Sequence, residues 1–316
     1  MHHKYNWKKI LTTNRLKAII LKTKKLKTKK LTTKILNVFY WLFVGGVGLL
    51  ALRVLLLVVV FDTFHTPTES MTPTLRPGDR GYIDKLKLGG RIFDIYAAAA
   101  GEDHTVRRLP GYGRLERGDI IIFNAPWTES WDSVAMNMYL YYCKRAVAVA
   151  GDTLEIRRGF YRVRGSDDTV GVASEQRLVE RIVAPQVEAS CYDSLPGWMK
   201  VFPKDRERHW TIVEAGPLVI PAQGTRIRLD SLNLLTYRKY IEWETGRKAE
   251  WRDGVARIGG VKTPAYTFRE NYCFAAGDHA IDSQDSRYWG LLPEKFIVGV
   301  AQFVWKSGEG IRKVRK

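Results

Sequence analysis

Leu36-Asn-Val-Phe-Tyr-Trp-Leu-Phe-Val-Gly-Gly-Val-Gly-Leu-Leu-Ala-Leu-Arg-Val-Leu-Leu-Leu-Val-Val-Val-Phe61 divides the chain into two parts of different texture. At 1.5 Å rise per residue, roughly 20 apolar residues span a hydrocarbon core, and this run exceeds that length. Tyr40 and Trp41 stand near its start, where an interfacial aromatic belt belongs. Arg53 interrupts it at a cost of about 2.5–3.5 kcal/mol on insertion scales, which the surrounding Leu and Val can offset. The run is long for a signal-peptide core, and no small-residue cleavage pattern follows it. The expectation is an uncleaved transmembrane helix over 36–61.

The flanks of the run orient it. Residues 1–61 hold thirteen Lys and Arg and no Asp or Glu, and twelve of those charges precede the run. By the charge asymmetry, residues 1–35 form a basic cytoplasmic tail and residues 62–316 lie outside the cytoplasm. The tail contains Leu21-Lys-Thr-Lys-Lys-Leu-Lys-Thr-Lys-Lys-Leu31, whose leucines five apart follow no clean helical stripe. It reads as a solvated, partly disordered arm attracted to anionic lipid headgroups, each Lys adding about 1 kcal/mol. Of the formal net charge of +18, only +5 remains for the body once the tail is set aside. That balance argues against a nucleic-acid partner, because such a domain carries its positive charge on the folded surface.

From Asp62 onward, branched and aromatic runs alternate with Gly, Pro and Asp turns. Examples are Asp119-Ile-Ile-Ile-Phe123, Phe160-Tyr-Arg-Val-Arg164 and Phe296-Ile-Val-Gly-Val-Ala-Gln-Phe-Val304. This pattern predicts a β-rich domain. Leu229–Tyr240 has room for a helix, and Val170–Glu188 is ambiguous. Cys143, Cys191 and Cys273 are too few and too widely spaced for a zinc site or a disulfide framework. They read as buried thiols, with one disulfide as the alternative.

Three segments carry residues capable of chemistry. In Thr66-Pro-Thr-Glu-Ser-Met-Thr-Pro-Thr-Leu-Arg-Pro-Gly-Asp79, prolines on both sides keep Ser70 on a stiff, non-helical stretch. Ser70 lies nine residues past the apolar run, hence within roughly 32 Å of its end. In Tyr141-Tyr-Cys-Lys-Arg-Ala-Val-Ala-Val-Ala-Gly-Asp152, strand alternation sends Lys144 and Arg145 to opposite faces. A lysine buried among apolar side chains is pushed toward neutrality and can take a proton from a hydroxyl. An arginine cannot. Each of these residues taken singly is better explained as an ordinary loop or strand residue.

The third segment is Gly277-Asp-His-Ala-Ile-Asp-Ser-Gln-Asp-Ser-Arg-Tyr-Trp-Gly290, whose Asp, Ser and Gly predict a loop held by side-chain-to-backbone bonds. Asp285 and Arg287 are placed to brace it as an ion pair. His279 and Asp282 beside Ser283 do not constitute a triad, since a triad is defined by geometry and not by sequence proximity.

In order and character the three segments resemble the boxes of the type I bacterial signal peptidases, membrane-anchored proteases that cut signal peptides from exported proteins. Ser70-Met-Thr-Pro-Thr-Leu75 is similar to the nucleophile box, and Lys144-Arg145 with the run to Gly151-Asp152 is similar to the lysine box. Gly277–Gly290 resembles the last box, while Arg76-Pro-Gly-Asp79 and Arg117-Gly-Asp-Ile-Ile-Ile-Phe123 match intermediate signatures.

The resemblance implies a serine endopeptidase with Ser70 as nucleophile, Lys144 as general base and Ser283 orienting the lysine. Thr68, with the Ser70 N–H, would form the oxyanion hole, and Gly277, Asp278, Asp285 and Arg287 would support the loop. It implies a mainly β fold, a curved antiparallel sheet carrying a variable inserted region within about 155–270. Neither cofactor nor metal is implied, and the partners would be signal-peptide-bearing precursors. His279, where the family usually has Asn, and Ala150, where it usually has Pro, depart from the pattern. Two other functions share parts of the sequence: a Ser-Lys autoprotease regulator binding DNA through its tail, and a membrane-tethered scaffold without activity.

Overall fold

In the computed structural model, the branched runs after Asp62 pair into a curved antiparallel sheet. The structure describes residues 7–100, 105–167, 169–306 and 310–314. The sheet runs in the order Phe61–His65, Arg80–Asp84, Ile297–Lys306, Ile120–Asn124, Tyr141–Ala148, Tyr272–Ala276 and Leu292–Pro293. An eighth strand, Gly310–Lys313, pairs with Ile297–Lys306. Register shifts at Ile297/Gly299, Ala301/Phe303 and Phe274/Ala275 mark bulges, which bend strands and deepen the twist. The expected mainly β, antiparallel fold is borne out.

The order of this sheet is not the order of the sequence. Tyr141–Ala148 sits between Ile120–Asn124 and Tyr272–Ala276, so the lysine segment and the last segment become neighbours despite their distance along the chain. Apolar clusters cover both faces: Ile121 and Phe123 join a large core, and Ile120 and Ile122 join a smaller one with Met71, Leu75, Val298 and Val304. That alternation is the period-two consequence of a sheet buried on both sides.

Residues 153–267 build outside this sheet. Thr153–Arg157 pairs with Phe160–Val163 and Ala215–Val219, while Ala249–Arg252, Val255–Ile258 and Val261–Lys262 form a separate meander. A helix, Ser231–Thr245, starts where Asp230 accepts the Asn233 N–H at 2.7 Å and stops at Gly246, whose φ of 65° suits glycine. Helical turns also occupy Ala173–Glu188, the stretch the sequence left ambiguous.

Two expectations need correction. The basic tail is helical from Trp7, and one helix, Trp7–Val59, continues through the apolar run, with Phe61 already opening a strand. A helix exposed over 15–55 needs no apolar stripe, and Lys and Leu are good helix formers. Thr23, Thr28, Thr32 and Thr33 fold their hydroxyls back onto carbonyls three or four residues earlier, which satisfies them without leaving the helix. By length and composition this helix can cross a membrane. The chain divides at Leu56/Leu57 into this helical unit and the β-rich body. The second correction is Cys191, which is exposed rather than buried; all three cysteines are free thiols.

Candidate active site

The segment carrying Ser70 is a loop pinched at its base. Thr66 N–H donates to Asp79 O at 2.8 Å and Gly78 N–H to Thr66 O at 2.9 Å. Met71 and Leu75, 1% and 0% exposed, plug the smaller core and fix the chain on either side of the loop's tip. Ser70, immediately before Met71, is thereby held above the sheet. The side chain of Lys144, on the neighbouring strand Tyr141–Ala148, reaches it: Nζ lies 2.6 Å from Ser70 Oγ.

Lys144 is only 2% exposed. Burial pulls its pKa down from 10.5, against the opposing pull of Asp285. Its amine faces the Tyr142 ring at 5.5 Å and a neutral hydroxyl, with no carboxylate within salt-bridge distance among the described residues. That arrangement favours the unprotonated amine that a general base requires.

Arg145 points the other way, as strand alternation requires. Its guanidinium grips Asp278 through two bonds of 2.7 Å and donates to Gly118 O at 2.8 Å and Thr74 Oγ1 at 3.3 Å. The three sequence segments are therefore tied together behind the site by one arginine. In the last segment Arg287 pairs with Asp285 through bonds of 2.8 and 2.7 Å, both buried. Burial alone would raise the Asp285 carboxyl, but Arg287 and the Gly277 N–H, 2.9 Å from Oδ2, hold it below its ordinary range.

Gly277 has a steric reason for its identity. A Cβ there would stand 2.1 Å from Ser283 Oγ and 2.5 Å from Ser70 O, so only glycine lets the last loop approach Ser70. The next contact is His279 N–H, which donates to Ser70 O at 3.2 Å. The backbone makes this bond, which is why His in place of Asn leaves it intact.

The remaining positions divide. Thr68 Oγ1 is 3.3 Å from Ser70 Oγ, on the same side of the tip. Ser283 borders the cleft, yet its buried Oγ has no hydrogen-bond partner among the described residues, so it does not touch the amine of Lys144. His279 Nδ1 is likewise unpartnered among the described residues, so it joins no Ser-His-Asp arrangement through that nitrogen. Sequence reasoning missed Tyr142, whose hydroxyl donates to Gln284 at 3.0 Å and joins the lysine strand to the last loop. It also missed Thr74 as a partner of Arg145; its place in the nucleophile box was the only signal. Around Ser70 and Lys144 opens a cleft of about 520 Å³ lined by Phe64, Pro67, Met71, Ile122 and Leu140. Thr68, Glu69, Lys144, Asp282, Ser283 and Gln284 also line it, so polar groups stand beside the apolar wall, the usual character of a binding cleft.

Residues 38–306 match the family described as "Signal peptidase, peptidase S26". The chain belongs to this peptidase family. The peptidase is similar to proteins named Signal peptidase I: 27% identical to that of Haemophilus influenzae, over 79% of this chain and 64% of the relative. It is 26% identical to that of Aquifex aeolicus, over 79% and 77%, and 23% identical to one of Helicobacter pylori, over 83% and 80%. The chain thus spans a little under two thirds of the Haemophilus relative's length. Membership bears out the serine-endopeptidase class that the three segments implied, and the apolar helix fits a membrane-anchored peptidase.

Proposed function

We propose that the chain removes signal peptides from exported precursors by acyl transfer, with Ser70 as nucleophile and Lys144 as general base. The observation that carries this reading is the 2.6 Å separation of Lys144 Nζ and Ser70 Oγ, with the lysine buried and its pKa pulled down. Neutral Lys144 takes the Ser70 proton as Oγ attacks the scissile carbonyl, and the amine then passes that proton to the leaving nitrogen. The Ser70 N–H and the Thr68 hydroxyl face the oxyanion, where losing one donor typically costs about 2.7–4 kcal/mol. After acylation Ser70 Oγ no longer accepts from the lysine. The unpartnered Ser283 Oγ at the cleft is then the group available to hold the amine while it activates water. Gly277, Asp278, Asp285 and Arg287 keep the last loop at the distance this requires.

The charge asymmetry of the helix puts its N-terminus in the cytoplasm and the body outside, at a bacterial inner membrane. Lysines of the helical tail face anionic headgroups there. Signal peptides carry small residues before the cut, which a shallow apolar cleft beside Ser70 accommodates. The deciding experiment compares wild type with Ser70→Ala on a precursor bearing a signal peptide, in cells lacking any other such peptidase. Wild type cleaves and Ser70→Ala does not; normal processing by Ser70→Ala sinks the proposal.

A further inference from the structure

The loop that presents Ser70 is secured from a second direction by the end of the chain. Arg312, on the strand Gly310–Lys313, donates from its guanidinium to Thr74 O at 2.9 Å and to Asp79 Oδ2 at 2.8 Å. Both acceptors belong to the nucleophile loop, four and nine residues past Ser70. Asp79 is 3% exposed, and the same Oδ2 accepts the Arg76 N–H at 2.9 Å, so the carboxylate and the arginine together close the turn at the loop's foot. Two residues further on, Val314 is buried in the small cluster that holds Met71 and Leu75. The last strand therefore meets the loop by a charged contact and an apolar one. These residues lie beyond the stretch matched by the family, which ends at residue 306.

An exposed ion pair ordinarily contributes little. Here the carboxylate is buried, and the second bond goes to a backbone carbonyl, so the guanidinium constrains the path of the chain as well as a charge. Arg312 lines a different cavity, of about 1110 Å³, whose walls include neither Ser70 nor Lys144. It does not face the cleft where substrate would lie. We infer that Arg312 is a positioning residue: through Thr74 and Asp79 it fixes the loop so that Ser70 Oγ stays within reach of Lys144. This rests on the Ser-Lys reading proposed above.

The test uses the full chain in phospholipid vesicles and a precursor bearing a signal peptide. Arg312→Gln is expected to lower kcat roughly tenfold with KM within about twofold, because misplaced reacting groups lose rate rather than ground-state binding. Arg312→Lys keeps one charged donor and recovers part of the loss. In a double-mutant cycle with Asp79→Asn, the two losses are less than additive, as expected for groups acting through one contact. Wild-type kcat in Arg312→Gln, a rise in KM alone, or additive losses would each overturn the inference while leaving the dyad untouched. If Arg312→Gln does not accumulate as folded protein, the cycle run with Arg312→Lys decides in the same way. Ser70→Ala assayed alongside separates the two claims: if it cleaves like wild type, the dyad reading falls and this inference with it.

Discussion

Lys144 and Arg145 are adjacent, both cationic by type and both nearly inaccessible, at 2% and 3% exposure. Their surroundings make them opposites. Arg145 faces Asp278 and two further acceptors, and its charge is matched bond for bond. Lys144 faces a serine hydroxyl and an aromatic ring, and burial pulls its pKa down. One residue of strand register separates a cation held in an ion pair from the lysine proposed here as the base. Burial alone does not make a reactive group; burial without a counter-charge does.

The largest expected effect comes from giving the Lys144 side the character of the other. Lys144→Arg keeps a long basic side chain but installs a group that stays protonated. Cleavage should fall on the order of 10⁴-fold or more, as it should in Ser70→Ala. Precursor cleavage followed in vesicles checks this, and substantial activity in Lys144→Arg would remove the proton-accepting role.

The reverse disruption, Asp278→Asn, leaves Arg145 buried without its carboxylate. The fold should lose about 3–5 kcal/mol, read from urea or thermal unfolding of the detergent-solubilised chain. Unchanged stability would mean that Gly118 O and Thr74 suffice for Arg145.

The pH profile separates the two cations without mutation. Lys144 must be neutral to accept a proton, and its pKa is lowered from 10.5. Activity should therefore rise with pH, about tenfold per unit, up to the lowered pKa and level off above it. Because the fold binds this proton less well than the unfolded chain does, the lysine also weakens the fold as pH drops through the interval between the two pKa values. A plateau beginning only above 10.5 would contradict the effect of burial. The smallest effect belongs to Thr74→Val, which deletes one 3.3 Å bond to Arg145 and should cost about 0.5–1.5 kcal/mol of stability.

Much of the site is legible in the sequence, and the reasons are local. Prolines around Ser70 announce a rigid loop, alternation along Tyr141–Ala148 assigns Lys144 and Arg145 to different faces, and Asp285 with Arg287 announces a brace. What stays hidden depends on packing between distant segments. The family resemblance has Ser283 holding the lysine, yet its Oγ stands without a partner in the cleft. Arg312, 233 residues from Asp79, carries no local signal at all. The tail misleads for the opposite reason: a stripe test looks for a buried face, and over 15–35 the helix shows none.

By itself the sequence determined an apolar helix after a basic tail, a β-rich body and three segments whose residue types suit acyl transfer. The helix and the β-rich body follow from composition and periodicity, which are carried by neighbours along the chain. The chemistry of the three segments is what their resemblance to the peptidase boxes implies. Only the tertiary structure decided that Lys144 Nζ meets Ser70 Oγ, that Gly277 must lack a side chain, and that Arg312 near the chain's end bonds the Ser70 loop. Each of these depends on a sheet order that sets residues 74 to 238 positions apart side by side. Distances between such residues, and the loss of water that lowers a lysine's pKa, exist only once the chain has folded.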